Sequence, residues 1–331
     1  MPELKLISLF SWCWWLDLWF EKAWFLIPIA NEFDKQIRPT FKINHPNTKL
    51  LEEDVRNIDE NSLPKVDGII WWPPCQSRSE AGALRWINDA RWQLFFDYIR
   101  ILNVVQPKFF LAENVSWMLS QRHSTAVKNI ISLFEWCWYN VSVTLVNAKD
   151  FWVAEERKRV FYIGFRNDLN INFTFPEWST HWDNKLTLKD VIRDLQDSAL
   201  PALPKNYHNP ESVNNNEYFV WAYSPMFMSR NRVKNRDEQA FTVQASWRQC
   251  QIHPQAPKMI KTWLNKCIFV PGKEDLYRRM TVREIARIQW FPDDFQFIYD
   301  NVDIWYKMIG NAVPVNLAYE IAIAIKKTLL K

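Results

Sequence analysis

Glycine is nearly absent, at five residues in 331, where an ordinary chain would carry about 7%. Glycine is the residue that accepts positive φ and lets backbone approach a neighbour or ligand closely, so its scarcity removes the usual means of building tight strand-to-helix turns. Tryptophan stands in those places: there are twenty, and most read as displaced glycines. Cysteine is also sparse and unpatterned. Cys13, Cys75, Cys137, Cys250 and Cys267 form an odd set with no C-x-x-C pair and no zinc-like spacing, which argues against a disulfide framework and for a reducing compartment. The five histidines are scattered, and no metal ion is expected. No window approaches the ~20 apolar residues of a spanning helix. The N-terminus lacks a basic segment followed by an apolar stretch and a cleavage site, so a soluble cytoplasmic protein is expected.

What is present reads as globular, with 48% hydrophobic and 24% charged residues. The length suits one large domain and a smaller one. Net charge is only +4, but it is unevenly placed: residues 221–258 hold six Lys/Arg against two Asp/Glu. That segment is a candidate nucleic-acid surface, or else a solvated loop face.

Short apolar runs alternate with helical patterns over the first half of the chain. Leu4 to Phe10, Leu26 to Ala30, Asp67 to Ile70, Lys108 to Leu111, Val141 to Val146 and Val160 to Phe165 read as strands. Leu16 to Ala23, Gln93 to Leu102 and Ala126 to Phe134 carry apolar residues at helical spacing. This alternation predicts an α/β domain with a doubly wound, mostly parallel sheet covered on both faces. Beyond about residue 167 the sequence turns Asn-, Pro- and Asp-rich, as in a second, loop-rich domain, before helices return at Thr281 to Gln289 and Val315 to Ile325. The division expected is 1–170, 171–299, and a segment 300–331 packing back on the first domain.

Chemistry-bearing residues gather at the predicted carboxyl ends of strands, where open α/β sheets bind their ligands. Pro73-Pro74-Cys75-Gln76 follows one strand and holds a lone cysteine, either a nucleophile or a buried structural thiol. Glu113 follows the next strand. Arg157 and Arg159, two residues apart on extended backbone, would point the same way and clamp an anion or polar ring.

These stretches, with Leu9-Phe10-Ser11, Asn31-Glu32-Phe33-Asp34, Arg283 to Gln289 and Gly310-Asn311-Ala312-Val313-Pro314, resemble the DNA cytosine-5 methyltransferases over nearly the whole chain. Residues 240–254 look like the recognition region of the HaeIII-type, GGCC-modifying enzymes of restriction-modification systems. The resemblance implies the S-adenosylmethionine-dependent methyltransferase fold with a smaller target-recognition domain. It implies Cys75 as the nucleophile adding to C6 of a flipped cytosine, Glu113 as the acid at N3, and Arg157 and Arg159 as the pair holding the base. S-adenosylmethionine is the implied donor, met by Phe10, Glu32, Phe33, Asp54, Pro74, Leu94 and Asn311. For duplex DNA, Arg230, Arg232 and Arg248 are candidates to read guanine edges, and Lys234 and Arg236 to meet phosphates. A monomer is expected, sharing its site with a restriction endonuclease.

The departures are the tryptophans. Trp12, Trp14, Trp15, Trp19, Trp24, Trp71, Trp72, Trp86, Trp92, Trp117, Trp152, Trp247 and Trp290 stand where the family has glycine, and Glu155 where it often has glutamine. A forced positive-φ or overpacked position costs on the order of 1–3 kcal/mol against a total stability of about 5–15 kcal/mol. The literal chain is therefore expected to miss the native state, or to fail to bind the donor at Trp14, Trp15, Trp71 and Trp72. Three alternatives remain open: a DNA-binding protein without catalysis, an RNA cytosine-5 methyltransferase, and a misfolded, functionless variant.

Overall fold

The computed structural model describes residues 3–11, 15–71, 90–177, 184–312 and 315–331, with the side chains of residues 15, 90–93, 122 and 315 outside that description. The chain divides into two units. The first comprises Met1–Asn147, Lys158–Glu177 and Ala318–Lys331; the second comprises Ala148–Arg157 and Trp178–Leu317. The expected boundary at residue 170 thus falls at 177, and residues 300–317 group with the second unit rather than with the end of the chain.

The first unit is built on a seven-stranded sheet: β1 Leu4–Leu9, β2 Phe25–Asn31, β3 Lys49–Leu51, β4 Gly68–Trp71, β5 Phe109–Val115, β6 Tyr139–Asn147 and β7 Lys158–Arg166. Their order is β3-β2-β1-β4-β5-β7-β6. The first five strands pair in parallel, and β7 runs antiparallel to both β5 and β6. The α/β class and mostly parallel sheet expected from the sequence are what the chain adopts. The inner strands are apolar runs buried on both faces, as crossover topology requires.

Helices α1 Trp15–Lys22, α2 Arg38–Asn44, α3 Ala90–Val105 and α4 Ser124–Trp136 supply the connections. Phe95, Tyr98, Phe110 and Phe134 form the centre of the core, with the Phe110 and Phe134 rings 4.2 Å apart. Two of the five glycines are explained here: a Cβ at Gly68 would overlap the Phe109 ring, and one at Gly164 the Phe110 ring. The last helix is α8 Val315–Leu329; its part from residue 318 on belongs to this unit and lays Tyr319 edge-on against Trp19 at 5.6 Å and Lys326 Nζ against the Ala23 carbonyl at 3.0 Å.

Short α2 and β3 escaped the sequence reading because three to seven residues hold too little periodicity. Tryptophan's positions carry a sharper message. Trp24, Trp138 and Trp290 follow the ends of α1, α4 and α6 (Val282–Ile288) at φ of 63°, 77° and 71°, with Trp152 in a tight turn at 55°. The first three are the left-handed position that closes a helix and favours glycine. Trp24 N–H donates to Glu21 O, Trp138 to Glu135 O and Trp290 to Arg287 O, at 2.8, 2.9 and 2.9 Å.

The second unit is loop-rich, with α5 Leu188–Ile192, α6, α7 Val302–Gly310, a two-residue parallel pair β8 Leu200–Pro201 with β9 Glu217–Tyr218, and a hairpin of β10 Ile260–Trp263 and β11 Lys266–Ile268. Its cohesion comes from buried arginines as much as from apolar contact. Arg279 is 2% exposed, lies 4.3 Å over the Tyr223 ring and donates to Trp221 O at 2.9 Å. Arg278 meets Glu284 through both nitrogens at 2.9 and 2.7 Å, and Glu284 also closes a capping box with Thr281 at the start of α6.

Candidate active site and basic surface

At the carboxyl edge of the first unit's sheet, β5 changes character from Phe109-Phe110-Leu111-Ala112 to Glu113-Asn114. Because β7 runs antiparallel to β5, its beginning lies beside the end of β5: Glu113 pairs with Phe161 and Val115 with Arg159. Side chains two apart share a face, so Arg159 is the diagonal neighbour of Glu113. The Arg159 Nε to Glu113 Oε1 distance is 2.8 Å, with Glu113 buried at 4% and Arg159 at 13% exposed. Nearby, burial and secondarily the Glu113 charge push the Tyr162 phenol up to about 12. Cys75 and Pro74 lie beyond β4, outside the described residues.

On the other side of the sheet's centre, Phe10 directly follows β1 at φ 56° and is 8% exposed. Its ring meets the edge of Trp71, the last residue of β4, at 6.5 Å, and Trp71 in turn stacks on Tyr98 at 4.5 Å. Glu32, just past β2, is buried and takes the Asp34 N–H on Oε1 at 2.6 Å. Asn31, which sequence reasoning did not single out for a role of its own, fixes this corner by donating to Leu51 O and Glu53 O at 3.1 and 2.8 Å. Phe33 is exposed. Asp54 caps a short turn, and the Arg56 guanidinium beside it holds its carboxyl below the usual range. Leu94 is half-buried against the main core.

The second unit holds Arg157 and Asn311. Arg157 is fully buried; its two terminal nitrogens donate to Val243 O and Gly310 O, both at 2.9 Å. Glu155, also fully buried, lies 3.5 Å from it and accepts the Val243 N–H at 2.6 Å. In the sequence Glu155 stands out only as an acid where the family often has glutamine, which does not by itself signal a buried pair. Gly310 has to be glycine here, since a Cβ would overlap the backbone of Gln244 and Ala245. Asn311 caps α7. The two arginines read from sequence as one clamp therefore have separate partners: Arg159 an acid at the sheet edge, Arg157 two carbonyls and an acid beneath residues 243–245.

The five basic candidates also separate. Arg230 and Arg248 are exposed, and Arg248 lies 5.4 Å over Trp247, itself stacked on Phe219 at 4.1 Å. Arg232 is buried, donates to Phe227 O and Met226 O at 3.0 and 3.1 Å, and is lowered to about 10 by burial and then by the Arg230 charge. Lys234 faces Glu238 at 3.5 Å, and Arg236 donates to Gln196 at 2.5 Å. A cavity of about 260 Å³ opens between Arg230, Gln244 and Gln249.

A family model described as C-5 cytosine-specific DNA methylase matches residues 4–327. The Type II methyltransferase M.NgoPII of Neisseria gonorrhoeae is 67% identical over 328 residues, 98% of this chain and 96% of that one. M.FnuDI of Fusobacterium nucleatum, also a Type II methyltransferase, is 57% identical over 329 residues, covering 98% and 95%. Among solved structures, the methyltransferase EhMeth of Entamoeba histolytica superposes with a TM-score of 0.71 over 99% of each chain at 15% identity, a likeness of fold.

Proposed function

Because the chain belongs to the C-5 cytosine-specific DNA methylases, we propose that it is built to transfer a methyl group from S-adenosylmethionine to C5 of a cytosine in duplex DNA, at GGCC sites. The observation that carries this reading is the Glu113–Arg159 pair, a buried acid held at 2.8 Å on the carboxyl edge of the sheet, one strand from the segment that bears Cys75. C5 of cytosine is a weak nucleophile. A thiolate at Cys75 adding to C6 makes C5 enamine-like, and a carboxylic acid at Glu113 relieves the charge that addition places on N3. Arg159 orients that acid and holds the base, which has to leave the duplex to reach it. Arg157 acts at one remove by securing residues 243–245 of the basic segment. Arg230 and Arg248, exposed beside the cavity or on an indole, present their donors to guanine edges.

Donor recognition is supported by Glu32, a buried carboxylate past β2 suited to ribose hydroxyls, and by the aromatic Phe10 past β1. Trp71 opposes it, because its indole occupies the space against the Phe10 ring. That packing favours a second reading for the chain as it stands, DNA binding with methyl transfer suppressed. The test is incorporation of tritiated methyl from S-adenosylmethionine into a GGCC duplex, by this chain and by one with glycine at positions 12, 14, 15, 71 and 72. Transfer by the glycine chain alone supports both the reaction and the blockade. Transfer by this chain removes the blockade, and a glycine chain that folds and binds donor yet methylates no GGCC duplex overturns the reaction.

A further inference from the structure

The hairpin β10–β11 exposes what proteins ordinarily bury. Trp263 and Leu264 at its tip are 74% and 76% exposed, and Ile260 on the rising strand is 43% exposed. Asn265 completes the turn at φ 62°, so the tip is a tight two-strand point rather than a floppy loop. Lysines flank it: Lys261 on β10, and Lys266 directly across from Trp263 on β11. Lys258 at the base is drawn to Glu238 at 3.2 Å, whereas no carboxylate among the described residues pairs with Lys261 or Lys266.

The base of the hairpin is as fixed as its tip is bare. Met259 and Cys267 are buried in a cluster with Phe227 and Val233, and Phe269 just beyond β11 stacks on Tyr277 at 4.1 Å. Met259 N–H donates to Asn231 Oδ1 at 3.0 Å, and Asn231 sits between Arg230 and Arg232. The point is thus rigidly joined to the basic segment.

We propose that this hairpin is a second DNA contact: Lys261 and Lys266 meet phosphates flanking the methylated site, while Trp263 and Leu264 enter the groove as an apolar wedge. The inference rests on the DNA-methylase reading. Charge complementarity selects the occupant, since two unpaired cations beside two apolar side chains match a phosphate-lined groove with base faces at its floor. The contact carries affinity and leaves base choice to other residues.

The test is equilibrium binding to 30-base-pair fluorescent duplexes, one with a central GGCC and one scrambled, across a salt series without donor. Lys261→Ala with Lys266→Ala should reduce the slope of log K against log salt by about 1.8, the release of two phosphate contacts. Trp263→Ser with Leu264→Ser should weaken both duplexes by about 5- to 20-fold with their ratio unchanged. Neither pair reaches the core, and an unchanged near-ultraviolet circular dichroism spectrum checks this. Unaltered slope and affinity in both variants sink the hairpin contact while leaving the family reading intact. Loss confined to GGCC would make it a base reader, which also overturns the proposal. Loss of phosphatidylserine-vesicle binding or of self-association in the tip variant, with DNA affinity unmoved, would assign the tip to a membrane or a second copy instead. Failure of the unmodified chain to bind either duplex brings down the DNA reading and the hairpin together.

Discussion

Two arginines two residues apart each face a glutamate, and the surroundings give the two pairs different work. Arg159 and Glu113 sit at a strand end with the arginine still 13% exposed, while Arg157 and Glu155 are sealed at 0%. Arg157 spends both terminal nitrogens on backbone carbonyls. A charge pair at a rim keeps room for a third party; a sealed pair whose arginine gives both terminal nitrogens to backbone carbonyls is a structural rivet. The lesson is that a sequence spacing of i and i+2 fixes a shared face only while the backbone stays in one strand, and Arg157 precedes β7.

The largest expected effect lies at the rim pair. In the chain with glycine at positions 12, 14, 15, 71 and 72, Glu113→Gln should lower the methyl-transfer rate by about 10²–10⁴, the usual worth of a positioned proton donor, with the unfolding midpoint nearly unmoved. A rate loss matched by an equal loss of stability would make Glu113 structural and erase the contrast.

The sealed pair should show the reverse. Arg157→Met leaves the buried Glu155 without its guanidinium neighbour and strips two carbonyls of their donors, so a loss of about 3–5 kcal/mol is expected from urea unfolding. Arg159→Met should cost no more than about 1–2 kcal/mol, because its guanidinium is partly wet. Equal costs at the two positions would show that exposure does not decide the role.

How much of this was legible beforehand follows the same division. Strands such as Lys108 to Leu111 announced themselves through apolar runs, and Glu113 through the break in one. The doubly wound sheet followed from alternation alone. The antiparallel turn of β7 did not, because direction is set by which connection crosses the sheet and leaves no mark on the strand's own residues. Nor did the burial of Arg232 and Arg279: an arginine sunk among carbonyls and rings is spelled the same way as one that meets DNA. Trp138 was missed as a left-handed position because nothing beside it, short of the helix end itself, flags positive φ.

Acid should separate the two units further. His253, in the second unit beside Glu284, is lowered to about 4, chiefly by burial. A depressed pKa means the unfolded chain binds the proton better, so stability present above about 6.5 drains away as pH falls toward 4, by about 3 kcal/mol for the 2.5-unit gap. Asp17 in the first unit runs the other way. Burial raises it to about 6, so its contribution is complete below about 4 and is lost as pH rises through 6. Hydrogen exchange followed by mass spectrometry should therefore show α6 losing protection and β1 gaining it between pH 6.5 and 4. His253→Gln should flatten the first trend and Asp17→Asn the second.

The smallest effects are at the tryptophans that close helices, and there too the surroundings should rank them. A left-handed L-residue carries about 1–2 kcal/mol of strain, and glycine returns about 0.5–1 of that through the freedom it regains in the unfolded chain. Trp138→Gly gives up an indole that is 59% exposed, with no cation over it among the described residues, and should stabilise by about 1 kcal/mol. Trp24 is still more exposed at 69%, but Lys326 lies 4.9 Å over its ring; losing that contact, worth about 0.5–1 kcal/mol, should leave Trp24→Gly near neutral. Trp290 is only 38% exposed, so lost burial offsets its relief almost fully. The order 138, then 24, then 290 in unfolding midpoints would show that strain and contact add locally at each helix end. A uniform gain at all three would mean that strain alone governs, whatever the indole touches.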